Sequence, residues 1–193
     1  VASDDDCQKI AKTALDTWGG IAVLINNAGT TRFVPHENLD GLQMDDFQDL
    51  YATNVVGAFQ MVRAVVPAMQ KAGEGRIVST SSIAGIMGNG SSLAYSASKG
   101  ALNTLTLGLA RALAPEITVN AVCPALVMSD WFRDFSPERV AEVKKDYEGL
   151  VPLGRICSPD DIADSIMYLA TTSAPVTGEL LVIDAGVRLG AKS

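Results

Sequence analysis

At 193 residues, 48% of them hydrophobic and 19% charged, the chain is long enough to bury a substantial core and has the composition of a compact α/β protein. A formal net charge of -7 without any basic cluster argues against a nucleic-acid partner held through its phosphates. Cys7, Cys123 and Cys157 are too few and too scattered for a disulfide framework, and His36 is the only histidine, so a Ser-His-Asp hydrolase or a histidine-ligated metal centre has almost nothing to build on.

Helical spacing of Ile10, Ala11, Ala14, Leu15 and Trp18 predicts a first helix over residues 4–18, stopped by Gly19-Gly20. The run "IAVLINNAG" that follows reads as a strand buried on both faces. A long helix is expected over 43–71, with Phe47, Leu50, Tyr51, Val55, Phe59, Val62 and Val66 on its apolar side. "GRIVSTSS", 75–82, is the second strand, a helix runs from about Tyr95 to Leu113, and "ITVNAVCP" is the third strand. Residues 129–151 form a long mixed excursion carrying Trp131, Phe132, Phe135 and Tyr147. "SPDDIADSIMYLA" opens on Ser158 as a helix cap with Pro159 in the first turn, and "ELLVIDAG" is the last strand. Strands alternating with helices predict a parallel sheet with right-handed crossovers, in one domain spanning 1–193. No apolar run approaches the ~20 residues of a membrane span, and no basic-then-apolar leader opens the chain, so the expected location is the cytoplasm with no membrane partner.

In a parallel sheet, ligands collect at the carboxyl ends of the strands. The small and polar residues there are Asn27, Ala28 and Gly29 after the first strand, Ser81 and Ser82 after the second, and Pro124 to Ser129 after the third. Tyr95 and Lys99 open the next helix four residues apart, on one face, so a phenol and an ammonium share a patch. A nearby cation favours the phenolate, which would bring a phenol of pKa ~10 toward use as a proton donor.

Four features coincide in chain order: "NNAG" at 26–29, Asn54 in "NVVG", Ser82 at a strand end, and Tyr95-x-x-x-Lys99 at a helix start. This set resembles the classical short-chain dehydrogenase/reductase family, in which a serine also precedes the tyrosine by 13 positions. "VNAVCPALVMS", "PLGRICSPDDIADSIMYLA" and "TGELLVIDAG" are similar to later segments of that family. The resemblance implies a Rossmann-like, doubly wound, three-layer α/β/α fold and a homotetramer. It also implies NAD or NADP as cofactor and a small-molecule carbonyl or alcohol as substrate. Tyr95 would be the general acid or base, Lys99 would lower its pKa and hold the nicotinamide ribose, and Ser82 would hydrogen-bond the substrate oxygen. Asn54 would anchor a water linking Lys99 to solvent, unless it is a helix-interior amide satisfying a local kink. Asn27, Ala28 and Gly29 would lie against the adenosine ribose of the cofactor, and Pro124, Ala125, Val127 and Ser129 beside its nicotinamide. No metal is implied.

The sequence departs from the family pattern at Ala125 and Ala185, where glycine is usual, and at Ser129, where threonine is common. The family's leading strand and glycine-rich phosphate turn have no counterpart, and "GIMGNG", 85–90, has the wrong spacing and reads as a flexible wall of the substrate pocket. The first strands of the sheet are therefore expected to be missing, leaving "IAVLINNAG" with an open edge and the chain as a piece of a longer one. "MGNGSSLAYSASKGAL" is most similar to the 3-oxoacyl-carrier-protein reductase branch, with sugar, polyol and steroid alcohol dehydrogenases as alternatives. Residues 129–151 are expected to cover the substrate. An epimerase of the extended branch usually has an acidic residue where Asn103 stands, and a noncatalytic binding protein would not need the intact serine, tyrosine and lysine.

Overall fold

The computed structural model describes residues 1–132 and 135–190. Four parallel strands, β1 (Val23–Asn26), β2 (Gly75–Thr80), β3 (Ile117–Pro124) and β4 (Leu180–Ile183), lie side by side in chain order. Helices α1 (Asp4–Trp18), α2 (Met44–Tyr51), α3 (Gly57–Ala72), α4 (Ala84–Met87), α5 (Leu93–Leu113), α6 (Pro137–Leu150) and α7 (Pro159–Thr171) surround them.

Successive β-residues point to opposite faces, and the two cores follow that alternation. Ile77, Ile117 and Val119 pack with Cys7 and Ala11 of α1, Met61, Val65 and Met69 of α3, and Ala110 of α5. Val78 and Val122 point the other way, into Ile162, Leu169 and Ala170 of α7. Helices thus cover both faces, as a three-layer α/β/α fold requires. One expectation fails here. Strand order never reverses, yet the first two crossovers pass over one face and the last, through α7, passes over the other, so the three cannot share one hand.

β1 is an edge strand among the described residues, and it is not buried on both faces: Leu24 is buried, but Val23 and Ile25 are 40% and 39% exposed. The sequence predicts the open edge, and the alternate exposure has a separate cause: Val23 and Ile25 point to the face opposite Leu24, which is left partly uncovered at β1. The helix expected over 43–71 is also interrupted. A π-turn at Ala52–Val56 inserts an extra residue between α2 and α3 and rotates the apolar stripe. Leu50 and Val62 are buried as expected, whereas Phe47 and Phe59 turn outward and Met61, Val65 and Met69 take the core positions.

Helix ends obey local chemistry. Ser158 and Asp161 form a reciprocal capping box at the start of α7, and Arg155 grips both carboxylate oxygens of Asp161 at 2.7 and 3.0 Å. The Ser92 hydroxyl accepts the Tyr95 amide at 3.2 Å, which fixes the first turn of α5 and the direction from which Tyr95 leaves it. The mixed excursion after β3 resolves into a 3₁₀ turn at Asp130–Phe132 and the regular helix α6, started by the Ser136 cap.

Candidate active site

The carboxyl ends of β1, β2 and β3 open into a cavity of about 1190 Å³. Asn27, Gly29, Ser82, Tyr95, Lys99, Pro124, Ala125, Val127 and Ser129 all line it. Ala28, on the same loop as Asn27, is exposed and does not line it. Asn54 lies behind the wall, almost wholly buried.

Lys99 is 4% exposed and its Nζ donates to the carbonyl oxygen of Thr80 at 2.9 Å. Burial pulls its pKa down to about 8, because the charged form loses hydration. The ammonium lies 5.7 Å from the centroid of the Tyr95 ring, so the patch that the four-residue spacing predicts is formed. The Tyr95 phenol itself is pushed above its usual value by burial, partly offset by the hydrogen bond from Ser82. The expected lowering by Lys99 is not among the causes of the shift: desolvation governs it, and the side chain acting against desolvation is Ser82.

Ser81 and Ser82 point in different directions. The Ser81 hydroxyl donates to Asn103 Oδ1 at 2.6 Å and to the Lys99 carbonyl at 3.3 Å, lacing β2 to α5. Ser82 Oγ accepts the Ala84 amide at 3.1 Å and stands beside the Tyr95 phenol.

Asn54 does satisfy backbone at an irregularity, but the backbone belongs to another segment. Its Nδ2 donates to Thr30 O and Ser98 Oγ, both at 3.0 Å, and its Oδ1 accepts the Thr30 amide at 2.8 Å. The π-turn aims this amide between the loop after β1 and α5. A Cβ on Gly29 would stand 3.4 Å from Asn54 Oδ1 and 3.6 Å from Lys99 Nζ, so a bare backbone keeps this corner open for a ligand.

Sequence reasoning missed one wall. Phe33, Val34, Pro35, His36 and Glu37 line the cavity from the loop after β1. Val34 is fixed by its amide, which donates to Ser91 O at 2.8 Å. The three apolar residues 33–35 in an otherwise polar loop were the available signal. "GIMGNG" folds partly into α4, and Asn89 and Gly90 form the expected pocket wall. No group of three or more His, Cys, Asp or Glu positioned to hold a metal occurs among the described residues. No helix among them is long and apolar enough to cross a membrane.

The family model described as enoyl-(acyl carrier protein) reductase matches residues 1–188. The 3-oxoacyl-[acyl-carrier-protein] reductase of Synechocystis is 34% identical over 190 residues, covering 97% of this chain and 73% of that protein. The chain belongs to the short-chain dehydrogenase/reductase family. A Burkholderia xenovorans structure described as a short-chain dehydrogenase/reductase superposes with a TM-score of 0.87 at 39% identity, over 98% of this chain and 74% of that one. ElxO with NADP bound superposes with a TM-score of 0.89 at 27% identity, over 97% of this chain and 75% of that one. The Rossmann-like fold and an oxidoreductase function using NAD or NADP follow from membership. The residues present fit such a cofactor in one respect: the buried Lys99 ammonium keeps donors beyond the one given to Thr80.

Proposed function

We propose that this oxidoreductase interconverts a carbonyl and a secondary alcohol, with Tyr95, Lys99, Ser82 and Asn54 as its working residues. What supports the reading is that Ser82, Tyr95 and the buried Lys99 line one cavity, with the Lys99 ammonium 5.7 Å from the centroid of the Tyr95 ring. The bound nicotinamide supplies or accepts the hydride. As negative charge grows on the substrate oxygen, the Tyr95 hydroxyl gives it a proton and the Ser82 hydroxyl donates a hydrogen bond. In the opposite direction Tyr95 takes the proton back. Lys99 stabilises the phenolate left on Tyr95 and offers its remaining N–H groups to the cofactor ribose. Asn54 positions this unit, holding the Thr30 loop and α5 at a fixed separation, and its Oδ1 faces the corner where a water would connect Lys99 to solvent. Asn27, Ala28, Gly29, Pro124, Ala125, Val127 and Ser129 border the cofactor in this reading.

Residues 129–151 form the substrate cover within a single domain. Trp131, Phe132, Phe135, Arg139, Val143 and Tyr147 all reach the cavity from it. The protein works in the cytoplasm, and as a homotetramer; association is supported by apolar side chains left exposed on adjacent helices, Phe47, Val56 and Phe59 along α2–α3, and Leu93 and Leu107 on α5. Assaying the full-length protein with NADH and NADPH against β-ketoacyl thioesters, simple ketones and keto-sugars tests the function. Cofactor oxidation matched mole for mole by alcohol formation is expected with one of these classes. Absence of turnover with all of them in both directions would overturn the reading.

A further inference from the structure

The cavity beyond Tyr95 is built from aromatic rings contributed by two segments far apart in the chain. Trp131 lies with its ring centroid 6.4 Å from that of Tyr95, tilted by 60°. Phe33, from the loop after β1, meets Phe135 at 5.3 Å and Phe132 at 6.3 Å, and those two meet each other edge to face at 5.4 Å. These are the tilted and T-shaped contacts that aromatic quadrupoles favour, and a flat ring inserted among them would be received by both faces and edges. Phe33 is 48% exposed and Trp131 41%, although both are large and apolar. Apolar surface left open on a cavity wall marks a ligand contact.

Charge on the cavity wall points the same way. Among the described lining residues the permanent cations are Lys99 and Arg139. Lys99 is committed to Thr80 O and the catalytic patch, and the Arg139 guanidinium is paired with Glu142 at 2.6 Å. Among the described lining residues, neither cation is left without a partner for a phosphate-bearing carrier arm. The Tyr147 phenol is also engaged, by the Leu126 amide at 3.4 Å, and the wall it shares with Val143, Ile162, Ile166 and Val187 is apolar, which suits an apolar substrate body on that side.

The geometry points to a substrate whose carbonyl or hydroxyl is carried on a rigid apolar ring system, with Trp131, Phe33 and Phe135 as the residues that select it. This rests on the oxidoreductase reading for the reaction but not for binding. The test uses the full-length protein, with a Trp131→Phe variant as the control that assigns the fluorescence change to the ring on the cavity wall. The fused-ring ketone 2-tetralone is compared with 2-decanone, of equal carbon number, and with acetoacetyl-coenzyme A. Expected results are saturable quenching of Trp131 fluorescence by 2-tetralone and a kcat/KM for it at least tenfold above either linear compound. In Phe33→Leu and Phe135→Leu, which keep apolar bulk but remove the ring, that ratio should fall to threefold or less while the circular dichroism spectrum is kept. A tenfold preference for acetoacetyl-coenzyme A, or a ring preference unchanged in both leucine variants, would overturn the proposal. Quenching that is lost in the leucine variants without turnover of any ketone would support the ring pocket while removing the oxidoreductase reading.

Discussion

Lys99 donates to the carbonyl of Thr80 at 2.9 Å, so the charge buried beneath the cavity is tied to the last residue of β2 and not to a carboxylate. A backbone dipole compensates a buried ammonium only in part, and the pKa falls to about 8 from 10.5. The sign of the pH dependence follows. Because the folded value lies below the unfolded one, the protonated lysine opposes folding at neutral pH, and the opposition fades as pH rises from about 8 through 10.5. It amounts to on the order of 3 kcal/mol at neutrality. Lys99→Met should therefore raise the unfolding free energy at pH 7, and the gain should disappear at pH values above the unfolded lysine pKa. Urea unfolding of both proteins at the two pH values checks this; a variant less stable than wild type at pH 7 would contradict it.

Asn54 joins the Thr30 loop to α5 through three hydrogen bonds. Asn54→Ala leaves the Thr30 amide and carbonyl without these partners, at a cost of about 3 kcal/mol. Its effect on catalysis should appear mostly in kcat and in the alkaline limb of the pH profile, because the amide acts through Lys99. Steady-state kinetics across pH separate this from general loosening, which would move KM and kcat together.

Ala185 has a φ of 51°, in the left-handed region where a Cβ is strained. The sequence carries alanine where the family usually has glycine, and the backbone keeps the conformation glycine would take. Ala185→Gly removes about 1–2 kcal/mol of strain and returns part of it as unfolded-chain entropy. A rise in Tm of about 1–3 °C by calorimetry is expected.

Gly85 is the closest approach between α4 and α5. A Cβ there would stand 2.5 Å from the carbonyl carbon of Lys99 and 2.6 Å from the amide of Gly100, both backbone atoms. Gly85→Ala should cost about 1–3 kcal/mol by overpacking and lower kcat by displacing Lys99. Thermal unfolding and kcat measured on one preparation check both effects.

What was legible in the sequence was local. Tyr95, Lys99 and the Ser158 cap are fixed by spacing within a turn, and Ser82 by its place at a strand end, so their chemistry survives without knowledge of the fold. The phase of the helix around Asn54 was not legible, because a π-turn leaves no periodic mark and shifts the buried stripe of α3 to Met61, Val65 and Met69 while Phe59 faces outward. Phe33 was missed for another reason. Its partners Phe132 and Phe135 lie about a hundred residues away, and no local pattern reports a contact of that range. The raised Tyr95 pKa was likewise out of reach, since the sequence shows the neighbouring cation but not the loss of water around the phenol.

In the proposed reaction the Tyr95 hydroxyl carries the proton that accompanies hydride transfer. Tyr95→Phe removes that oxygen and leaves the ring beside Trp131. Single-turnover cofactor oxidation in the full-length protein, measured with the best carbonyl substrate, should slow by about 10²–10⁴-fold while cofactor affinity changes little. A variant that transfers hydride at the wild-type rate would contradict the account.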